Sequence, residues 1–167
     1  MSDFQGIDGV IGHQAIAETS TTQNHDLGLV MKAKDTASTA YGVGEFIYLK
    51  GVASTVVGSA VLIAEDGFTT SLLAANDIGQ VAFAMSINVA SSFGWYQIKG
   101  KAVGKVLTGF ADNGNCYGTA TAGSLDDAVV AGDRVQRCKG ASAIGTPSTG
   151  LAELEISYPE VNNALAD

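Results

Sequence analysis

The sequence is short of charge, proline and cysteine. Charged residues make up 16% of its 167 residues, against about 25% in an average domain. Hydrophobic residues make up 46%, which excludes a disordered acidic tail. Two prolines beside 21 glycines, with no Gly-x-y period, exclude collagen. Two cysteines, Cys116 and Cys138, are too few for a secreted disulfide scaffold. Two reduced thiols are the simpler reading, and a single bridge is the alternative. Nine basic residues against 17 acidic ones give a net charge of -8, which argues against nucleic acid, since phosphate needs clustered Lys and Arg. No Lys or Arg precedes Lys32, so the basic start of a secretory signal is missing. The longest apolar runs, such as AVLIA (60–64) and VAFAM (81–85), fall far short of the roughly 20 residues a membrane helix needs. The expectation is a protein that binds neither nucleic acid nor membrane.

What is present is a turn-punctuated series of short apolar runs. Segments 29–34, 45–50, 55–64, 68–73, 79–89, 93–99, 102–108, 115–121, 133–139 and 151–158 read as strands. Asp66-Gly67 between two apolar runs signals a hairpin. Gly100 marks a tight turn or a bulge. The predicted fold class is mainly β: a single antiparallel β-sandwich or barrel. At most two short helices are expected, at 70–77 and 124–131. In 79–89 the residues Val81, Phe83, Met85, Ile87 and Val89 share one face, and Ala82, Ala84, Ser86 and Asn88 the other. The small face suggests close packing against another layer or another subunit. In 151–158, Ala152, Leu154, Ile156 and Tyr158 share the inward face. Phe83, Met85, Ile87, Tyr96, Ile98, Leu154 and Ile156 are the expected core.

Residues 1–28 are Ser/Thr/Gln-rich and lack basic side chains, with Phe4, Ile7, Val10, Ile11 and Ile16 scattered among them. A solvated tail rarely carries such residues, so the segment reads as an extended N-terminal arm that packs on something. The β domain then spans 29–158, with a short tail at 159–167.

Candidate catalytic groups are sparse. His13 and His25 both lie in the arm, at no zinc spacing. That also leaves Cys116 and Cys138 without a nearby base. No G-x-S-x-G elbow occurs, and Gly42-Val43-Gly44 lacks the rest of a nucleotide loop. Asp66, Asp77, Asp112, Asp126 and Asp127 sit in turn-like segments, and Glu153 and Glu155 on a solvent face. Asp112-Asn113-Gly114-Asn115 begins like a calcium loop without its later Glu. No catalytic residue, metal or cofactor is expected. The basic residues group as Lys32, Lys34 and Lys50, then Lys99, Lys101 and Lys105, then Arg134, Arg137 and Lys139. They read either as solubility or as a sparse positive face for an acidic partner.

Two stretches carry a family likeness: KAKDTASTAYGVGEFIYLKGVASTVVGSAV (32–61) and VAFAMSINVASSFGWYQIKGKAVGKV (81–106). With DDAVVAGDRVQR (126–137) and 151–158, they resemble capsid cement, or head decoration, proteins of tailed bacteriophages. GEFIYLKG and FGWYQIKGKA carry most of the likeness. The resemblance implies a non-enzymatic β-rich protein, made in the host cytoplasm, that forms homotrimers on the outer surface of an HK97-type virion. Its partners would be the major capsid protein and itself, and its role to bridge capsomers of the expanded shell. Phe4, Ile7, Val10 and Ile11 of the arm are the expected capsid contacts, filling shallow pockets while the arm adds a strand, and the free arm would be mobile. A trimer clasp is the other use of the arm. The alternatives to cement are a virion fibre or receptor-binding module and, from another class, a small carboxylate hydrolase.

Overall fold

The computed structural model describes residues 3–8 and 12–162. These form an all-β domain with no helix among the described residues, and so no helix long and apolar enough to cross a membrane. The strands are β1 (Phe4–Gly6), β2 (Thr19–Ser20), β3 (Val30–Asp35), β4 (Val43–Lys50), β5 (Ala60–Ile63) and β6 (Thr70–Leu72). They continue with β7 (Gly79–Ala84), β8 (Phe93–Lys105), β9 (Asn115–Gly118), β10 (Leu125–Asp126), β11 (Arg134–Gly140) and β12 (Leu151–Val161). All ladders are antiparallel and join into one sheet in the order β1-β3-β4-β8-β7-β12-β11-β9-β10. Strand β2 sits on β8, and the β5–β6 hairpin on β7.

The mainly-β expectation holds. The two candidate helical segments are turns and short strands instead. Once Asp66-Gly67 reverses the chain, Thr70–Leu72 returns along β5. Asn76 then takes a positive φ of 65°, and the Asp77 carboxylate accepts from the Ala74 N–H at 2.8 Å, closing a turn rather than a helix. Leu125 is buried and pairs with Gly118.

The two segments that carry the family likeness are central neighbours. β4 runs beside the first half of β8, placing Tyr48 opposite Trp95 and Ile47 opposite Tyr96. Phe46–Leu49 and Trp95–Ile98 are buried on both faces, so the usual alternation is absent there. Phe46, Tyr48 and Trp95 face one core cluster, with Met31, Tyr41, Phe4 and Ile16. Ile47, Leu49, Tyr96 and Ile98 face another, with Val61, Ala82 and Ala84. A third cluster holds Phe83, Leu154, Ile156, Phe110, Cys116 and Cys138. Gly100 lies where β8 changes partner: residues 93–99 pair with β4 and 99–105 with β12. Its φ of +104° is open to glycine and strained for other residues.

Of the expected core, Phe83, Tyr96, Ile98, Leu154 and Ile156 are buried. Met85 is half-buried, and Ile87 is 62% exposed. The reason is that β7 ends at Ala84. Beyond it the chain bends, and the polar Ser86 and Asn88 take the inward positions while Ile87 and Val89 face solvent. The Asn88 side-chain amide donates to the Tyr96 hydroxyl at 3.0 Å. The small face of β7 is also accounted for within the chain, since Ala82 and Ala84 pack on Ile47 and Tyr96. Tyr158 breaks its pattern in the same way. The β11–β12 register shifts between Gln136 and Cys138, and Arg137 and Tyr158 both adopt positive φ. The shift sends Tyr158 outward, at 46% exposure, and Pro159 and Val161 inward.

Candidate interaction surfaces

The N-terminal segment is extended, as expected, but seated on its own domain. β1 pairs with β3, Phe4 opposite Asp35. The Phe4 ring is buried edge-on against Phe46 and Tyr41, with centroids at 4.8 and 6.4 Å. Phe4, expected as a capsid contact, is a core residue of the isolated chain. Ile7 is 54% exposed. Val10 and Ile11 lie outside the described residues.

Gln14 fastens the segment further along. Its backbone carbonyl accepts from Trp95 Nε1 at 2.9 Å. Its side-chain oxygen accepts from the Tyr48 hydroxyl at 2.8 Å and from Asn24 Nδ2 at 2.9 Å. Its Nε2 donates to the carbonyls of Glu18 and Phe93 at 2.8 and 3.1 Å. Its backbone N–H donates to His25 Nε2 at 3.0 Å. That bond requires an unprotonated Nε2, and His25 packs on Tyr48 and Trp95, with centroids at 5.0 and 5.4 Å. Burial pulls the His25 imidazole below its ordinary value; nearby His13 adds to this and Asp26 opposes it. Both histidines thus belong to the attachment of this segment. The expectation of a mobile arm missed this network because its main partner, Trp95, is far away in sequence.

A different surface lies where loops 51–58 and 85–92 run side by side. Gly51 N donates to Ser92 O and Gly58 N to Ala84 O, each at 2.8 Å. The approach is so close that a Cβ on Gly51 would fall 2.0 Å from the Asn88 carbonyl. Beneath, Thr55 and Asn88 are fully buried. Above, Ile87, Val56 and Val89 are 62%, 40% and 40% exposed. The sequence carries no charged residue at 51–64 or 78–98. A second exposed apolar pair, Val129 and Val130, sits close in sequence to Asp126, Asp127 and Asp133 instead.

Four of the nine basic residues are tied into ion pairs between strands. Lys101 pairs with Glu153 at 2.7 Å, Arg137 with Glu160 at 3.1 Å, Lys139 with Glu155 at 3.2 Å and Lys99 with Glu45 at 3.4 Å. Glu45 also accepts the Tyr158 hydroxyl. That bond, with Lys99 alongside, holds the Glu45 carboxyl below its usual range against the effect of burial. These cross-strand pairs neutralise the outer face locally.

Of the aspartates expected in turns, Asp77 closes one, Asp127 accepts from Ala111 N at 3.0 Å and Asp126 from Asp127 N at 2.9 Å. Asp133, expected at the start of a strand, accepts from Asn76 N at 2.7 Å. Asp66 is simply exposed. No three His, Cys, Asp or Glu residues gather as a metal site among the described residues. An open groove of about 610 Å³ is lined by Leu62, Phe68, Ile78, Ser71, Glu65 and Glu160, among others. Comparison of the chain with family models, curated proteins and solved structures found no match.

Proposed function

We propose that this chain is a structural virion protein that binds the outside of an HK97-type phage capsid as a homotrimer and stabilises the expanded shell. The observation that carries the reading is the charge-free loop end, with Ile87, Val56 and Val89 exposed on a chain of net charge -8. Such a patch favours apolar contact with another protein surface, and the acidic remainder discourages binding to stray nucleic acid. The likeness of 32–61 and 81–106 to cement proteins supplies the kind of partner, and those stretches include both loops. Cementing is binding chemistry: contacts available only on the expanded lattice stabilise that lattice by mass action. Three linked copies raise the effective concentration at each site, so each needs only a modest interface. Because Phe4 is committed to the core, the body supplies the contact, through the loop end and the outer edge of β1 with Ile7. Its test is binding of the purified chain to expanded and unexpanded HK97-type heads stripped of their own cement protein. The expected result is binding to expanded heads alone, in copies that are multiples of three, with increased heat resistance of the particle. Equal binding to both head forms, or to neither, overturns it.

A further inference from the structure

We propose that Cys116 and Cys138 form a redox modification site, at which a small-molecule disulfide installs a cross-strand bridge between β9 and β11. Both thiols are free and buried. Lys139 pairs with Asn115, and Gly140 N donates to Gly114 O at 2.8 Å. One step along from the Lys139–Asn115 pair, the same register sets Cys138 opposite Cys116. Lys139 and Asn115 are exposed, so the two thiols turn together to the inner face. They share one core cluster, and the neighbouring Cys116 together with burial raises the Cys138 thiol well above its ordinary value. Directly opposed residues of an antiparallel pair have Cα atoms about 4.5–5.5 Å apart. A disulfide spans about 4.4–6.8 Å. The register of this pairing shifts between Lys139 and Arg134, and Arg137 within that interval takes a positive φ.

The surroundings leave the pair little other chemistry. Its neighbours in the core cluster include Val135, Phe110 and Leu125. Both histidines lie in the N-terminal segment instead, where His25 packs on Tyr48 and Trp95. Two adjacent thiols without base or metal remain capable of two-electron oxidation. With glutathione disulfide, one protein thiolate attacks a glutathione sulfur and expels one glutathione thiolate. The second protein thiolate then attacks the protein sulfur of the mixed disulfide and expels the other. Two thiols and one glutathione disulfide become one protein disulfide and two glutathione thiols. A buried thiol with a raised pKa attacks slowly, so the folded chain stays reduced until the β9–β10 end of the sheet opens. The bridge then closes the loop 116–138 and fastens that end to β11. The site is independent of the capsid reading.

The test is to refold the full chain from denaturant in a glutathione redox buffer at mildly alkaline pH. The expected product is monomeric in mass, about 2 Da lighter for the two hydrogens lost, with a peptide linking Cys116 to Cys138. Its melting temperature should be about 10 °C higher than the reduced form, and dithiothreitol should reverse both changes. Cys116→Ser and Cys138→Ser should each take up one glutathione and gain no melting temperature; if neither folds, the wild-type mass and melting shift decide. Two free thiols after refolding, unresolved glutathione adducts on the wild type, a bridge between two chains, or a bridged form that melts lower overturns the proposal.

Discussion

Residues 12–25 and the loops 51–58 and 85–92 reverse the usual order of inside and outside. The first is polar and is tied down; the second are largely apolar and stand in solvent. Gln14 is buried because every polar atom of its side chain finds a partner on Tyr48, Asn24, Glu18 or Phe93, so its desolvation is offset. Ile87 is exposed because Ser86 and Asn88 take the inward positions beside it. Side-chain polarity alone therefore says little about either region. What distinguishes them is that one has found its partners within the chain and the other has not.

The largest effect that can break this comparison lies at Phe4. If β1 belongs to the core, Phe4→Ala should cost about 3–5 kcal/mol in denaturant unfolding. A mobile arm would lose almost nothing. Gln14→Ala should cost about 2–3 kcal/mol, chiefly by taking away the acceptor of the buried Tyr48 hydroxyl proton. It should also raise hydrogen exchange at the amides of 12–25, leaving β11 and β12 protected.

The pH response sharpens the same point. His25 has its folded value lowered, so the unfolded chain takes up its proton first. Stability is then full above the ordinary imidazole value of about 6.5 and declines as pH falls through it, toward the lowered folded value. Unfolding free energies compared between about pH 7.5 and about 5.5 should show this loss in the wild type and less of it in His25→Asn. His13 and Asp26, which face the ring, are kept in both.

The strands were legible wherever both neighbours were set by local alternation. β3, β4 and β12 up to Ile156 follow their apolar pattern, and Asp66-Gly67 marks its hairpin. The readings that failed depend on register or on distant partners. Nothing near Gln14 reveals that Trp95 will donate to it. Nothing near Ile87 reveals that β7 stops three residues earlier, or near Tyr158 that a bulge opposite Arg137 reverses its face. Lys99 and Lys101 looked available because their carboxylates, Glu45 and Glu153, arrive from other strands. The juxtaposition of Cys116 and Cys138 likewise follows only from the β9–β11 register.

Smaller effects belong to the outer face. Lys101→Ala, which removes the most sheltered of the ion pairs, should cost about 1 kcal/mol, and Lys139→Ala under about 0.5 kcal/mol. Smallest for stability is the loop end itself. Ile87→Ser with Val89→Ser should change unfolding free energy by no more than about 0.5 kcal/mol, because both side chains are exposed in the isolated chain.

That double variant gives the most direct measurement. Wild-type and Ile87→Ser/Val89→Ser chains are sedimented with expanded HK97-type heads stripped of cement, at low and moderate salt. The account predicts that the wild type pellets with the heads at both salt concentrations, since the contact is apolar, and that the equally stable variant stays in the supernatant. Retention of full binding by the variant, or wild-type binding lost on adding salt, would contradict it.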